Sequence, residues 1–461
     1  MRSMSRSAPA NLHPIRTLWW CALAIAMSFV VLSIARTHLS KEPERVFAID
    51  SLRPSAQLDD SWWPMNDAFD YIRSPHTTPV YSKIFIERHV KFQYPLTSLL
   101  LMYVVRSRPT LSTISLILIL MTCPLMISLF GRFLAAAAPQ TPELKAKESW
   151  MERFGRFALP VLMTLTFYPV INAYRLGQLQ TWLFAGFVLL VWLWTDGRTV
   201  AAGVIAGLLT CAKPQFALLF LWGATRKKWG FCWAFAITAL FAFALSTALF
   251  GIHEQLDYLK VLSILSRHGE SWWPNQCING VLHRMLDKGV ATQWEHYYVP
   301  PYSRTIYLAT MFSSVVLIAG AFLIPVKYRG GVADLMLASL TFTVASPVAW
   351  THHYSIMLPM FAGLFAWGVA RQPLGRWTLP LLCLSYLLIG TFLGAFWKVA
   401  QTKLNMVQSY PFAGVIIALV VLYLWALRGE PGGATSLTVM KKATATSDAE
   451  RSTVFSRPVT V

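Results

Sequence analysis

The chain has 461 residues, 55% of them hydrophobic and only 13% charged, and a mean hydropathy of +0.48, which is more apolar surface than a soluble fold can hide. A net charge of +19 would point, in a soluble protein, to nucleic acid held through its phosphates. Here Lys and Arg fall mostly in short segments between apolar runs, where they keep connections cytoplasmic and meet anionic lipid, so membrane lipids and not nucleic acid are the expected partners.

In chain order, Arg2, Arg6 and Arg16 precede an apolar stretch at 17–35 that is too long for a signal-peptide core. It predicts an uncleaved signal anchor with the tail 1–16 in the cytoplasm. A crossing helix needs roughly 20 apolar residues, and on that measure about twelve spans follow, near 17–35, 110–131, 157–173, 180–195, 198–212, 214–225, 231–250, 306–326, 332–347, 354–370, 376–396 and 411–427. The fold class is therefore all-α, polytopic and transmembrane. Basic connections at Arg132 to Arg156, Arg198, Arg226 to Lys228, Lys327 with Arg329, and Arg371 with Arg376 alternate so that all are cytoplasmic when the first loop is outside.

Two long segments then fall on the outer side, 36–109, with a short apolar stretch at 95–105 that predicts an interfacial or re-entrant helix, and 251–305. Residues 17–370 are taken as one module and 371–428 as additional helices. The tail 429–461 has the composition of a disordered cytoplasmic segment. Six cysteines form no CxxC pair, and no spacing suggests a metal site or a cofactor.

The polar clusters all land on the predicted outer face. They are Asp67-Ala-Phe-Asp70-Tyr71, Gln93-Tyr94-Pro95, Asn172-Ala-Tyr174-Arg175-Leu-Gly177-Gln178, Lys213-Pro214-Gln215, Trp272-Trp273-Pro274-Asn275-Gln276 with Asn279-Gly280 and His283-Arg284, and Ser346-Pro347 with Trp350-Thr351-His352-His353. A carboxylate can take the proton of an acceptor hydroxyl, cations can hold a phosphate leaving group, and indole rings suit both sugar faces and lipid headgroups.

The order of these strings resembles glycosyltransferase family 87, membrane enzymes of the GT-C class that use polyprenyl-phosphate sugars, over roughly residues 17–370. The resemblance implies a GT-C-like fold and an inverting hexosyl- or pentosyltransferase, such as a mannosyltransferase, in the inner (cytoplasmic) membrane of the cell envelope. It implies a polyprenyl-phosphate-linked donor and a lipid or glycan acceptor on the outer face. Leu96 stands where many members have a second Pro, Leu179 or Gln180 where they have Asn, and Thr351 where they have Asp, which removes a carboxylate beside the two histidines.

Within that reading Asp67 is the candidate general base and Asp70, one helical turn on, its competitor. Lys213, Arg284, Arg175, His352 and His353 are candidate donor-phosphate ligands. Lys213 at membrane depth calls for a partner or a task, though snorkelling to the headgroups is the bland alternative. Adjacent histidines on a helix diverge by about 100°, so one of the pair is expected to face the site. Tyr71, Tyr94, Gln178, Trp272, Asn275, Gln276, Asn279 and Trp350 are candidate substrate contacts. A secondary transporter or lipid-linked sugar flippase is the rival, because broken spans such as that at Pro214 also serve transporters.

Overall fold

A computed structural model describes residues 14–39, 59–137, 149–286, 299–325, 329–370, 373–393, 396, 399–400 and 402–428. The tails 1–13 and 429–461 lie outside them, as do parts of both long segments expected on the outer side. Among the described residues the chain is all helical, apart from one isolated bridge between Asn275 and Trp350. The helices are α1 (Pro14–Leu39), α2 (Trp62–Arg73), α3 (Arg108–Ala137), α4 (Trp150–Thr166), α5 (Tyr168–Arg175), α6 (Gln180–Thr195), α7 (Thr199–Ala212), α8 (Leu218–Thr225), α9 (Trp229–Phe250), α10 (Ile252–His268), α11 (Ile278–Leu286), α12 (Arg304–Phe322), α13 (Val332–Val344), α14 (Met357–Ala370), α15 (Thr378–Gly390) and α16 (Tyr410–Arg428).

Among the described residues four helical stretches are by themselves long and apolar enough to cross a bilayer: α3, α9, α12 and Asn405–Leu427, which includes most of α16. The bent pair α4 and α5, at 46°, makes a fifth. Among the described residues five apolar helical stretches are shorter, Ile15–Val31, Gln180–Thr195, Thr199–Ala212, Val332–Val344 and Gly375–Gly390. Residues 198–225, expected as two spans, consist of α7 and the short α8 joined by a tight 3-10 turn at Pro214–Ala217. The stretch expected as an interfacial helix is a 3-10 helix, Leu96–Tyr103.

Local sequence explains the breaks that matter for the site. Helix α4 starts with a capping box in which the Ser149 hydroxyl accepts from Glu152 N–H and the Glu152 carboxylate accepts from Ser149 N–H. It ends at Phe167 because Pro169 opens the first turn of α5 and cannot donate to a continuing ladder. Pro214 likewise holds Lys213 in an extended conformation, φ −137° and ψ 106°, which ends α7. Gly203 and Gly207 let α7 touch α9 closely: a Cβ at Gly207 would lie 2.9 Å from the Phe235 carbonyl oxygen.

The largest core cluster joins α3, α6, α13 and α14, with α13 buried on every side. At its edge Arg226 makes two hydrogen bonds to Asp334, 2.9 and 3.0 Å, and both side chains are fully buried. A second cluster gathers Trp62, Met65, Phe69, Tyr81, Phe92 and Leu96 against Tyr258 and Val261 of α10, so the segment before α3 is a packed body and not a loose loop. That body carries one wall of the cavity.

Candidate active site

A cavity of about 1370 Å³ lies among α1, α4, α5, α10 and α15, the turn at Lys213 and the segment around Trp350. Part of its wall is apolar: Leu18, Ile25, Phe29 and Val30 of α1, Leu159, Leu162 and Met163 of α4, and Tyr386, Gly390 and Phe392 at α15. The α1 part, from Leu18 to Val30, runs for about 18 Å at the helical rise. Polar residues converge in the remainder.

One polar group is built around Asp60. The turn between α5 and α6, where Gly177 takes φ +63°, pairs its Leu176 and Gly177 carbonyls with the N–H groups of Asp60 and Ser61. Gln178 Nε2 donates to Asp60 Oδ2 at 2.6 Å, and Gln178 Oε1 lies 2.8 Å from the Ser61 hydroxyl and 3.0 Å from that of Tyr94. Ser61 Oγ also accepts from Leu179 N–H at 3.0 Å. Asp60, Tyr94 and Gln178 all line the cavity.

The other polar group centres on Lys213. The residue is 8% exposed, and its Nζ donates to Gln180 Oε1 at 2.7 Å, while Gln180 Nε2 donates to Ser355 at 3.1 Å. Among the described residues Lys213 has no carboxylate within ion-pair distance. His352 and His353 stand beside it in the cavity wall, their rings 4.9 Å apart, and His353 Nδ1 accepts from Trp350 N–H at 3.2 Å. Asn172 reaches Thr351 at 3.5 Å. Trp272 and Trp350 form an edge-to-face pair, 5.7 Å between centroids, in the same wall. The exposed Arg175 also lines the cavity.

The structure thus brings together Tyr94, Gln178, Arg175, Lys213, Trp272, Trp350, His352 and His353 of the residues expected from sequence. It does not bring Asp67 or Asp70 into the wall. Helix α2 buries Trp62, Met65, Phe69 and Ile72, and both acids project from its other side, Asp67 to Arg88 at 3.3 Å and Asp70 to Arg106 at 2.6 Å. Tyr71, expected as a substrate contact, donates to the Thr78 carbonyl and also lies off the cavity.

Arg284, Asn275, Gln276 and Asn279 are not in the cavity wall either, because their polar groups bind the chain itself. Arg284 is 3% exposed and donates to the Trp273 and Asn275 carbonyls and to Ser409. Burial draws its pKa down to about 10, so it stays charged at neutral pH. Asn275 donates to the Glu270 and Pro347 carbonyls and accepts from Ala349 N–H, Gln276 donates to the Trp273 and Gln408 carbonyls, and Asn279 accepts from Glu270 N–H. These four fix the strip that carries Trp272 beside the strip that carries Trp350.

Asp60 and Asn172 also line the cavity and Gln180 holds Lys213, though none of the three was among the base, phosphate or substrate contacts expected from sequence. The adjacent acids Asp59 and Asp60, directly before Ser61-Trp62-Trp63-Pro64, were the available signal for the first. Asp59 is set apart from its neighbour: burial raises its pKa, and its nearest cation is Arg108 at 3.7 Å.

The profile of glycosyltransferase family 87 matches residues 92–351, more than half of the chain. That stretch contains Tyr94, Arg175, Gln178, Lys213, Trp272 and Trp350, and it ends one residue before His352. No curated protein and no solved structure matches the chain. With apolar helices able to cross a bilayer and a family profile over most of its core, the protein belongs to glycosyltransferase family 87 and is a membrane glycosyltransferase.

Proposed function

We propose that the protein transfers one sugar, with inversion, from a polyprenyl-phosphate carrier to an acceptor hydroxyl on the outer face of the cytoplasmic membrane. The observation that carries this reading is the amino group of Lys213, buried and held by an amide, without an acid partner among the described residues, in the wall of a cavity whose other part is apolar. A buried ammonium is costly alone, and a phosphate with an isoprenoid tail supplies both the counter-charge and the apolar length.

The roles follow from the two polar groups. Asp60 accepts the proton of the acceptor hydroxyl as its oxygen bonds to the anomeric carbon, and the bond from that carbon to the phosphate oxygen breaks with its electron pair going to the phosphate. Polyprenyl phosphate leaves as an anion beside Lys213, so it needs no proton. His352 and His353 contribute hydrogen bonds to the phosphate, and Trp272 with Trp350 offers ring faces to a sugar. Asp60 replaces Asp67 and Asp70 in this role because it alone of the three lines the cavity. Family membership disfavours the transporter reading.

The test is transfer by purified protein in lipid nanodiscs supplied with radiolabelled polyprenyl-phosphate-mannose, and separately the arabinose form, plus a membrane lipid extract. Label moving from the donor into a new product supports the reading. Intact donor after incubation with both forms contradicts it.

A further inference from the structure

The polar group around Asp60 and the indole pair of Trp272 with Trp350 are carried by different parts of the chain. Tyr94, which meets Gln178, lies in the segment before α3, whereas Trp272 lies in the strip that follows α10. A transferase must hold its base and its sugar at one spacing, because a misplacement of about 1 Å at the reacting atoms can cost on the order of a hundredfold in rate. Lys91 Nζ donates to Glu270 Oε2 at 2.8 Å, and this ion pair ties the two parts together, three residues before Tyr94 and two before Trp272.

Glu270 is bonded at every polar atom. Its N–H donates to Asn279 Oδ1 at 3.2 Å, and its carbonyl accepts from Asn275 Nδ2 at 2.8 Å. One carboxylate oxygen accepts from the N–H groups of Ser271 and Trp272, at 3.1 and 3.3 Å, and the other accepts from Lys91. The preceding residue is Gly269, φ +65°, where a Cβ would collide with the Asn279 side chain, so the strip meets α11 as closely as the backbone allows. A buried carboxylate is tolerated when it is satisfied in this way, and this one grips the peptide of Trp272 itself.

The Lys91 end is equally well seated. Phe92 is fully buried and stacked on Tyr81, 5.3 Å between centroids. The Gln93 carbonyl accepts from the Tyr258 hydroxyl at 3.1 Å and the Tyr94 carbonyl from that of Tyr81 at 2.6 Å. The pair is thus a strut between two braced stretches of backbone, not a contact between loose surface arms.

We propose that Lys91 and Glu270 are positioning residues that set the spacing between the base at Asp60 and the indole platform at Trp272, so that the sugar passes to the acceptor hydroxyl and not to water. The proposal rests on the glycosyl-transfer reading above and adds two residues which that reading does not use. With the strut broken, Trp272 holds the sugar out of register with the acceptor oxygen. Water is small enough to reach the anomeric carbon from positions the acceptor cannot take. Its oxygen forms the new bond, its proton passes to Asp60, and the bond to the phosphate oxygen breaks with its electron pair going to the phosphate. The signature is more free sugar for each sugar transferred.

The experiment uses the whole protein in nanodiscs with the radiolabelled donor that supports transfer and a membrane lipid extract, and counts free sugar and labelled product in the same reaction. Lys91→Met should lower kcat for transfer by about ten- to a hundredfold and raise free sugar per product by about tenfold, with the donor concentration dependence within about twofold of wild type. Lys91→Arg should restore both to within about threefold, because a guanidinium still meets the carboxylate. Lys91→Met combined with Glu270→Gln leaves no unpaired buried charge and keeps an acceptor oxygen for the two N–H groups. It should show the same rise in free sugar with a melting temperature closer to wild type, which separates register from folding. A wild-type ratio of free sugar to product in both Lys91→Met and the double variant, however far total activity falls, would reduce the pair to a folding role and overturn the proposal. Neither transfer nor release of sugar by the wild-type protein would overturn it together with the reading it rests on.

Discussion

Gln178 donates its amide N–H to Asp60 Oδ2 at 2.6 Å while its own carbonyl faces the hydroxyls of Ser61 and Tyr94. Those two hydroxyls fix which end of the amide meets the carboxylate. A hydrogen bond given to the charged form keeps a carboxylate ionised, which is what a base for a hydroxyl proton requires.

Gln178→Glu replaces that donor with a second carboxylate, and the pair must then share a proton. The acid limb of kcat/KM against pH should move up by about one unit or more, while Gln178→Ala should lower kcat with a smaller shift. A limb that stays in place in the Glu variant would mean that Gln178 does not orient the base.

Lys213 and Arg284, both expected from sequence to hold the donor phosphate, should now part company. Lys213→Met should cost about ten- to a hundredfold in kcat/KM for donor, the scale of a lost hydrogen bond to a charged group. Arg284→Lys should instead lower the melting temperature, because a single ammonium cannot serve the two carbonyls and the hydroxyl that the guanidinium reaches. Donor titrations and thermal unfolding in detergent separate the two. Wild-type donor use by Lys213→Met would remove the phosphate assignment.

His76 ties the Ser74–Thr78 stretch to α10, one ring nitrogen at the Ser74 carbonyl, 2.7 Å, and the other at Glu254, 3.2 Å. Both contacts want a donor, so the protonated form is favoured and the pKa is raised, the Ser74 carbonyl contributing most. A raised folded pKa gives a contribution that is complete below the unfolded value near 6.5 and fades as pH rises through the folded one. Amide hydrogen exchange over 74–82 should accelerate beyond its intrinsic pH dependence above neutral pH, and His76→Phe should abolish that excess. An identical excess in the variant would place the pH sensitivity elsewhere.

The helical character of the chain was legible because apolar length is a local property, and so was the break at Pro214, where a missing donor interrupts the ladder; the stretch 157–173 was expected as one continuous span, and its break before Pro169 is a finding of the structure. The face of α2 was legible too. Trp62, Met65, Phe69 and Ile72 recur at helical spacing, which turns Asp67 to the opposite side of the wheel and so away from whatever α2 packs on. The two acids of the motif Asp67-Ala-Phe-Asp70-Tyr71 lie on that opposite side, whereas Asp60 stands in the turn before the helix and lines the cavity.

Other parts of the site were not readable locally. The meeting of Asp60 with Gln178 joins residues 118 apart, and Lys213 with Gln180 joins two helices through side chains that give no periodic signal. Arg284 and Asn275 looked like ligands because buried polar residues that brace a loop and polar residues that bind a substrate have the same composition. Only their partners tell them apart.

The central claim is that Asp60 is the base, and the most direct measurement is the rate of sugar transfer by Asp60→Asn beside Asp67→Asn and Asp70→Asn, at equal amounts of folded protein in the same nanodiscs. Asparagine keeps the shape of each acid but cannot accept the proton. The account predicts a fall in kcat of about 10²- to 10⁴-fold for Asp60→Asn with the donor concentration dependence nearly unchanged. It predicts rates within about threefold of wild type for the other two, whose side chains form exposed ion pairs off the cavity. Near wild-type transfer by Asp60→Asn, with the large loss at Asp67 or Asp70, would contradict it.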